Sequence, residues 1–500
     1  MSAQVSTLAS RLPRAQEPHK AARDPEHPTA HEPLFAADRL LATTLQTRPG
    51  TQAQPRAPRA VAADRAFIVG VVVVVNALVI LGLWLRHGGL SAASGPGGIA
   101  TAIGQVTALL GTYAVLLQLL LMSRLPWLER YVGLDRLAVW HRWNGFVAIW
   151  LLVAHLVFTT LGYAQGDQKS IVAQTKDFIS HYPDVLMAFV GLALLIAVAA
   201  TSVRAARGTL RREVWYTVHL YAYLAVALSF AHQLAVGTDF SSDRAARTYW
   251  VALYLVVVAI ILIWRVGQPL LFNQRHQLRV HDVRREAPGV VSIYIAGRNL
   301  QDVDAAPGQF FLWRFLSRDG WYKSHPFSLS AAPGKRLRIT VKSLGDETRR
   351  LQAIRRGTRV FAEGPYGTFT AGRRTKRKVL LIAGGIGITP LRAMIDSMPG
   401  GPGDIVLLYR IAQPTDAVFE EELREFARAG RITLHIIPGT EIGDDNTDLL
   451  SVPALRAGVP DIRRRDCFVC GPPALTDALC RRLEILGVPR KQIHFERFEF

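Results

Sequence analysis

Two stretches of sequence decide the fold of this chain, HRWNGFVAIWLLVAH at 141–155 and HLYAYLAVALSFAH at 219–232. Each stretch begins and ends with histidine and is mostly apolar between its two histidines. In a helix that rises about 1.5 Å per residue, the histidines of each pair would lie about 20 Å apart along the axis. That distance fits inside a hydrocarbon core about 30 Å thick. We therefore predict two membrane-spanning helices, each with histidines at two depths.

Apolar runs of this kind recur along the first half of the chain. Six stretches of 17 to 25 residues lack Asp, Glu, Lys and Arg, namely 66–85, 99–122, 143–163, 185–203, 214–238 and 248–264. A helix of about 20 apolar residues is long enough to cross a bilayer. Half of the 500 residues are hydrophobic, and the mean hydropathy is +0.17. The composition excludes a purely soluble protein and predicts a six-helix transmembrane bundle at 65–272.

The basic residues predict the orientation of this bundle. The net charge is +20, and sixteen arginines flank the spans on one side, namely Arg48, Arg56, Arg59 and Arg65 before the first, Arg124, Arg130 and Arg136 after the second, Arg204, Arg207, Arg211 and Arg212 after the fourth, and Arg265, Arg275, Arg279, Arg284 and Arg285 after the sixth. Five basic residues lie in the loops on the other side. The positive-inside rule then predicts a bacterial plasma-membrane protein with both termini in the cytoplasm. Attraction to the lipid bilayer accounts for the charge without a nucleic-acid partner. Residues 1–64 lack an apolar run, which predicts a disordered cytoplasmic arm.

Four of the fourteen histidines lie in the predicted spans: His141, His155, His219 and His232. A buried, hydrogen-bonded histidine is the structural alternative for any one of them, but ionisable groups in a bilayer are costly and indicate function. A 14-residue step returns to within about 40° of the same helix face, whereas a 13-residue step leaves a difference of about 140°. A local tightening, a bend or different rotamers must therefore make up the difference on the fifth span. Pairing across the two helices gives two bis-histidine sites, which favours haem over zinc, because zinc requires four converging ligands.

These histidine pairs and their spacings resemble the ferric reductase and NADPH oxidase transmembrane family. The resemblance implies two b-type haems, with His141 and His219 as axial ligands on the cytoplasmic side and His155 and His232 on the outer side. Many animal NADPH oxidases carry a further histidine one turn past the outer ligand of the third span. Thr159 occupies that position here, which counts against efficient activation of oxygen.

After Trp264 the pattern changes to short strands, which predict an antiparallel β-barrel at 273–375. HPFS at 325–328 suits a flat flavin ring, although an ordinary strand with alternating polar and apolar residues would have a similar sequence. KSLGDET at 342–348 offers a glycine turn and a helix start that could receive a pyrophosphate. With EGPYGTF at 363–369, this order resembles the flavin domain of the ferredoxin–NADP reductase superfamily. The resemblance implies FAD bound by His325, Pro326, Phe327, Ser328, Lys342, Gly345 and Thr348.

Residues 376–500 predict a doubly wound parallel sheet that binds a nucleotide. VLLIAGGIGITPL gives a strand, a glycine turn and a helix start, and further strand–helix units follow. The predicted nucleotide-binding residues are Gly384, Gly385, Gly387, Thr389, Pro390 and Arg410, and the resemblance adds Cys470, Gly471 and Pro472. An arginine at the end of the second strand favours NADPH through its 2′-phosphate, with NADH still possible. The resemblance places Thr389, Cys470 and Phe500 at the reacting rings, with Phe500 stacked on the flavin.

The order of a membrane bundle, a flavin domain and a nucleotide domain along the chain predicts a transmembrane oxidoreductase. Electrons would pass from cytosolic NADPH through FAD and two haems to an acceptor on the outer face. Ferric iron or a ferric chelate and molecular oxygen are the two acceptors that we expect, and a periplasmic redox protein is an alternative. A proton or ion conduit with a flavin sensor is an alternative of another class. It is disfavoured because spans other than the third and fifth carry no ionisable group.

Overall fold

The computed structural model describes residues 60–206, 212–237, 243–318, 320–439 and 448–498. Most of the arm predicted at 1–64, and Phe500, lie outside the described residues. The N-terminal half is helical. Its helices are α1 (Ala60–Arg86), α2 (Gly98–Leu121), α3 (Pro126–Val132), α4 (Leu134–Gly166), α5 (Ile171–His181), α6 (Val185–Ala206), α7 (Arg212–Val236) and α8 (Arg244–Ile260).

Six helical segments of the described chain are long and apolar enough to cross a membrane. They are Phe67–Arg86, Gly98–Leu121, Arg136–Gly166, Val185–Val203, Val214–Val236 and Arg244–His276. This confirms the six predicted spans. Two of them are longer than the uncharged stretches in the sequence, because charged residues are tolerated where a helix leaves the hydrocarbon core.

The sixth span continues without a loop into the second half of the chain. Helix α8 passes into a π-helical turn, Ile261–Gly267, and then into α9, Gln268–His276. The first strand begins three residues later, at Arg279. The backbone that leaves the membrane is therefore helical as far as His276.

Helices α2 and α4 pack at close range because small residues face one another. A Cβ atom at Gly104 would lie 2.4 Å from the Thr159 hydroxyl oxygen, and one at Gly162 would lie 2.6 Å from the Thr101 backbone nitrogen. Small residues allow this close approach between membrane helices. The contact fixes the position of α4, which carries two of the four membrane histidines.

The strands that follow form two separate antiparallel sheets, in the orders β1-β2-β5 and β4-β3-β6. The strands are β1 (Arg279–Ala287), β2 (Val290–Ala296), β3 (Phe310–Phe315), β4 (His325–Ser328), β5 (Leu337–Lys342) and β6 (Val360–Tyr366). Helix α10 (Asp346–Leu351) follows β5. Apolar side chains of both sheets, including Ile293, Phe311, Trp313 and Ile339, share one buried core. We call this part the flavin sheets.

The predicted closed barrel is wrong for the described residues. Between the two sheets, the hydrogen-bonded pairing is limited to isolated bridges, Leu329 with Ile339 and Arg279 with Arg359. Strand β4 is four residues long and contains Pro326, which has no backbone N–H to donate. The ladder therefore cannot continue from β4 to β5, and the two sheets pack as layers.

The last part of the chain contains a five-stranded parallel sheet in the order β11-β10-β7-β8-β9. Its strands are β7 (Val379–Gly384), β8 (Ile405–Ile411), β9 (Thr433–Pro438), β10 (Asp466–Gly471) and β11 (Ile493–Arg497). The helices that accompany them are α11 (Ile388–Ser397), α12 (Glu420–Arg428), α13 (Val452–Gly458) and α14 (Pro473–Ile485). This is the β/α domain expected from the sequence.

The central strand of this sheet, β7, is buried on both faces. Leu381 packs in one core with Leu391 of α11, whereas Leu380 packs in another core with Leu479 of α14. The strand order runs outward from β7 in both directions. A crevice therefore opens between the carboxyl ends of β7 and β10, and ligands of open parallel sheets bind in such a crevice.

Candidate functional site

One histidine of α4 faces one histidine of α7 near the end of the bundle that meets the flavin sheets. The rings of His141 and His219 have their centroids 6.0 Å apart. Two metal–imidazole bonds of about 2.0–2.1 Å and the two ring radii add up to nearly this separation. His141 Nδ1 donates to the Gln118 carbonyl oxygen at 3.2 Å, and His219 Nδ1 lies 3.3 Å from the Ser202 hydroxyl. Each ring can therefore present Nε2 to a metal between them.

The second pair, His155 and His232, lines a cavity deeper in the bundle. His155 Nδ1 donates to the Gly104 carbonyl oxygen at 3.0 Å, and the Thr159 hydroxyl lies 3.1 Å from the same nitrogen. The close approach of α2 to α4 provides this carbonyl contact. The cavity is lined mainly by apolar side chains, among them Leu109, Leu152, Leu156, Phe189, Leu192 and Val226. A flat apolar group held between two imidazoles fits these surroundings.

The donor set fits an iron porphyrin better than a zinc ion. In the described ranges, no group of three or more His, Cys, Asp or Glu side chains could hold a metal. Each level of the bundle thus offers two imidazoles, which is the axial set of a bis-histidine haem. Helix α7 is α-helical from Arg212 to Val236. A break in that helix therefore does not account for the 13-residue spacing.

The predicted flavin residues lie on β4 and at the turn after β5. The rings of His325 and Phe327 are parallel within 9°, with centroids 5.8 Å apart. Trp313 Nε1 donates to the Phe327 carbonyl oxygen at 3.0 Å, which holds β4 against β3. Pro326 is exposed and Ser328 is buried. The strand therefore presents two stacked rings on one face, and an apolar ring system could lie against them.

Lys342 ends β5, and Gly345 and Thr348 form the turn into α10. The Thr348 hydroxyl oxygen accepts hydrogen bonds from the backbone N–H groups of Leu344, at 2.8 Å, and Gly345, at 3.1 Å. These two donors thus already have a partner within the turn. A pyrophosphate here would have to displace the threonine or use other donors.

The glycine turn after β7 and the segment after β10 meet at the crevice of the parallel sheet. A Cβ atom at Gly387 would lie 2.2 Å from the Cys470 carbonyl oxygen, and one at Gly471 would lie 3.1 Å from the Gly384 Cα. Thr389 is 3 % exposed, and its hydroxyl donates to the Ile386 carbonyl oxygen at 3.0 Å, which closes the turn. The structure thus brings together residues that lie about 85 positions apart in the sequence.

Cys470 lies at the end of β10 and is 1 % exposed. Burial raises the pKa of its thiol well above the usual value, and the charge of Glu496 on β11 adds to the effect. The thiol therefore stays protonated at neutral pH. It can contact a nicotinamide ring as a small neutral group but not as a thiolate nucleophile.

Arg410 ends β8 beside Gly384 in the strand ladder, as its predicted role requires, but it is only 9 % exposed. Its Nη1 donates to Asp448 Oδ1 at 3.1 Å, and Arg482 Nη1 donates to Asp448 Oδ2 at 2.9 Å. Arg410 thus belongs to a buried ionic group that joins β8 to α14. The structure gives it a partner other than a nucleotide phosphate.

We expect Arg410→Ala to lower the stability of the parallel-sheet domain by about 2–3 kcal/mol, because the buried Asp448 carboxylate would lose one of its two arginine partners without regaining water. Thermal unfolding of the full chain measures this loss. Arg424→Ala, which breaks a pair with Glu420 in which Arg424 is 56 % exposed, is the control and should change stability little. A selective rise in the KM for NADPH, with unchanged stability and an unchanged KM for NADH, would instead assign Arg410 to the 2′-phosphate.

Comparison with known proteins adds to this geometry. Residues 107–230 match the ferric reductase like transmembrane component, and residues 381–481 match the oxidoreductase NAD-binding domain. The chain joins these two domains. The first match contains His141, His155 and His219, and ends two residues before His232. The second match runs from the glycine turn after β7 through Cys470. The chain is therefore an integral membrane protein with an oxidoreductase module.

Individual relatives were also found. The NADH oxidoreductase HCR of Escherichia coli (strain K12) is 25 % identical over 221 residues, which are 43 % of this chain and 66 % of that protein. The ferredoxin reductase component of 3-ketosteroid-9-alpha-monooxygenase from Mycolicibacterium smegmatis is 30 % identical over 200 residues, which are 39 % of this chain and 56 % of that protein. The chain thus spans about half to two thirds of the length of these curated relatives.

Among solved structures, the flavohem-like FAD/NAD binding domain of nitric oxide dioxygenase from Vibrio cholerae is similar to part of this chain. It is 22 % identical, and the match covers 44 % of this chain and 98 % of that domain, with a TM-score of 0.38.

A buried ionic group that the sequence did not reveal lies where the ferric reductase-like domain meets the flavin sheets. Its centre is Glu363 on β6, which is 5 % exposed. Glu363 Oε1 accepts hydrogen bonds from Arg124 Nη1 at 2.5 Å, from Arg265 Nη1 at 3.4 Å and from the Tyr366 hydroxyl at 3.2 Å. Glu363 Oε2 accepts from Arg314 Nη1 at 3.3 Å. We call these five side chains the junction cluster.

Glu129 of α3 lies beside the junction cluster and is 8 % exposed. Burial raises the pKa of its carboxyl group from 4.5 to about 7, and the charge of Glu363 adds to the rise while Arg124 and Arg265 oppose it. At neutral pH this carboxyl group therefore holds a proton for about half of the time.

This protonation predicts a pH dependence of stability. The folded chain keeps the Glu129 proton up to about pH 7, whereas an unfolded chain loses it near pH 4.5. The free energy of unfolding should therefore fall by about 1–3 kcal/mol between these two pH values and level off above pH 7. Thermal unfolding of wild type and Glu129→Gln over this range tests the effect, and the variant should lose this part of the slope. Glu425→Gln, at an exposed carboxylate, is the control. Identical slopes in all three proteins would contradict the assignment.

Proposed function

We propose that this chain carries electrons from a cytoplasmic nicotinamide nucleotide, through FAD and two haems, to an acceptor on the opposite side of the membrane. One observation carries the proposal: α4 and α7 present two histidine pairs at two levels, and the flavin sheets adjoin the bundle at one end. When bound, FAD would accept two electrons from the nucleotide and release them singly, and the haems would carry the single electrons across the bilayer. The protein supplies distance, order and orientation.

Each part of the chain has a task in this scheme. His141 and His219 would hold the nearer metal, and His155 and His232 the farther one. The Nδ1 contacts of His141, His155 and His219 fix the orientation of these three rings and leave Nε2 for the metal. The distribution of basic residues and the positive-inside rule favour a cytoplasmic location for the flavin sheets.

The soluble part binds and orients the two reacting rings. The stacked rings of His325 and Phe327 would support the flavin, and the crevice between β7 and β10 would receive the nucleotide. Thr389 keeps the glycine turn closed through its bond to the Ile386 carbonyl oxygen. NADPH is the donor that we propose first, and NADH remains the alternative because Arg410 is paired with Asp448.

Ferric iron in a chelate, or molecular oxygen, is the acceptor that we propose. With His155 and His232 both holding the farther metal, the bound group would supply electrons to an acceptor that does not itself bind that metal. Such a site imposes little selectivity. Thr159 contacts the His155 ring and places a neutral hydroxyl there. A basic group at this position would favour the activation of oxygen. We therefore place the ferric chelate first.

The test is performed on purified full-length protein in lipid vesicles that enclose an impermeant ferric chelate. Under anaerobic conditions, NADPH outside the vesicles should reduce first the flavin, then haem, and then the enclosed iron. The same preparation in air is assayed for superoxide inside the vesicles. Flavin reduction with no reduction of haem would overturn the proposal, and superoxide without ferrous iron would reverse the order of acceptors.

A further inference from the structure

We propose that Glu363 is a positioning residue, which holds the flavin sheets at a fixed place on the membrane helices so that electrons can leave the flavin for the nearer haem. The inference rests on the proposed function and extends it to a residue outside the cofactor sites. It is carried by the contacts of the junction cluster.

The first observation is that one carboxylate joins separate parts of the chain. Arg124 follows the end of α2, and Arg265 lies in the π-helical turn after α8. Both donate to Glu363, and the Arg124 guanidinium also lies 4.5 Å from the centre of the Tyr366 ring. Two membrane spans that are far apart in the sequence are thereby tied to one strand of the flavin sheets.

The second observation is that both membrane-side arginines lie at irregular backbone positions. Arg124 has φ of +63°, in the left-handed region that residues other than glycine rarely adopt. Arg265 belongs to a π-helical turn, a rare form that is frequent at functional sites. Backbone strain such as that at Arg124 persists where the surrounding structure holds it in place. From these two positions, both guanidinium groups reach the same carboxylate.

The third observation is a short path from Glu363 to the predicted flavin strand. In the sheet β4-β3-β6, Leu312 pairs with Glu363 on one side and with Pro326 on the other. The stacked rings of His325 and Phe327 flank Pro326 on β4. A shift of Glu363 relative to the membrane helices would therefore move the flavin strand by a similar amount.

Burial distinguishes this contact from an ordinary surface ion pair. The side chains of Arg124 and Glu363 are 14 % and 7 % exposed. Those of Arg275, in α9, and its partner Asp302 are 61 % and 42 % exposed. Exposed pairs contribute little to structure. Removing one partner of a buried pair leaves the other charges uncompensated, so the arrangement of this junction depends on the Glu363 carboxylate. Asp302 is therefore a matched control for Glu363.

The test compares wild type, Glu363→Gln and Asp302→Asn as full-length proteins with their cofactors. Anaerobic stopped-flow mixing with NADPH follows flavin reduction and haem reduction separately. In Glu363→Gln we expect flavin reduction at the wild-type rate and haem reduction slowed about tenfold to a hundredfold, since small displacements have effects of this size. Amide hydrogen exchange should rise in residues 122–132 and 262–268. Asp302→Asn should match wild type in all three measurements.

Arg124→Gln is a second variant in case Glu363→Gln does not fold, because it leaves Glu363 with Arg265 and Arg314. Haem reduction and hydrogen exchange equal to wild type in these variants would overturn the inference. So would equal slowing of both electron-transfer steps with loss of flavin, which would indicate a general role in folding. If wild type reduces no haem, the proposed function fails, and the exchange measurement alone then decides whether Glu363 fixes the junction.

Discussion

Replacing His155 with alanine is expected to remove one of the two proposed haems and to lower electron delivery to an outer acceptor by about a hundredfold or more. Loss of a residue that supports a metal ligand typically lowers metal affinity or activity about 10–100-fold. Loss of the ligand itself should have at least as large an effect. The other histidine of α4, His141, lies 14 residues away and faces His219, so it cannot replace the His155 ring. Haem content by absorbance, together with ferric-chelate reduction, measures the result.

Flavin content and flavin reduction by NADPH should be unchanged in His155→Ala, because the substitution lies deep in the bundle. His232→Ala should give the same result, since both histidines line one cavity. His181→Ala is the control, because its side chain is 74 % exposed on α5. An unchanged haem spectrum in both cavity variants, or one haem in wild type, would contradict the bis-histidine assignment.

Gly387→Ala is expected to abolish nucleotide-driven flavin reduction while haem remains reducible by a chemical reductant. The added Cβ atom would lie 2.2 Å from the Cys470 carbonyl oxygen and 2.6 Å from its carbonyl carbon. Both are backbone atoms at the end of β10, so they cannot turn aside as a flexible side chain does. The turn after β7 must then move away from β10, which deforms the crevice that receives the nucleotide.

Stopped-flow flavin reduction and the KM for NADPH measure this effect, and we expect a loss of about a hundredfold or more. Gly401→Ala is the matched control in the same domain, because the nearest atom to its Cβ would be an Asp404 side-chain oxygen at 3.8 Å. Equal activity of the two variants would show that the glycine turn tolerates a side chain and does not shape the site.

Local features of the sequence predicted the membrane domain well. The six spans follow from runs of uncharged residues, because the bilayer sets both their length and their composition. The pairing of His141 with His219 follows from spacing along two helices, and the rings do face one another. The glycine turn and the Cys470 segment were found because strand and turn chemistry is local. Phe500 and the role of the N-terminal arm stay predictions.

The features that the sequence did not predict depend on contacts between distant residues. Arg124 and Glu363 are 239 positions apart, and nothing near either residue indicates the other. Arg410 was interpreted as a phosphate ligand because the sequence places it at the end of a strand. Its actual partner, Asp448, lies 38 positions later, and nothing in the sequence indicates that the two residues pair. The closed barrel failed for a similar reason, since pairing of β4 with β5 is a long-range property that Pro326 prevents.

The unbroken helix from Arg244 to His276 sets a limit on how this chain can change in evolution. A loop between two domains tolerates added or lost residues, but a helix takes up an added residue only through a local bulge, and otherwise its phase changes. One residue inserted between Ile260 and His276 would turn everything after it by about 100° and advance it by about 1.5 Å. The flavin sheets would then face a different side of the bundle, with Glu363 turned away from Arg124. Related chains that keep this junction should therefore conserve the number of residues in the segment even where they replace the residues themselves.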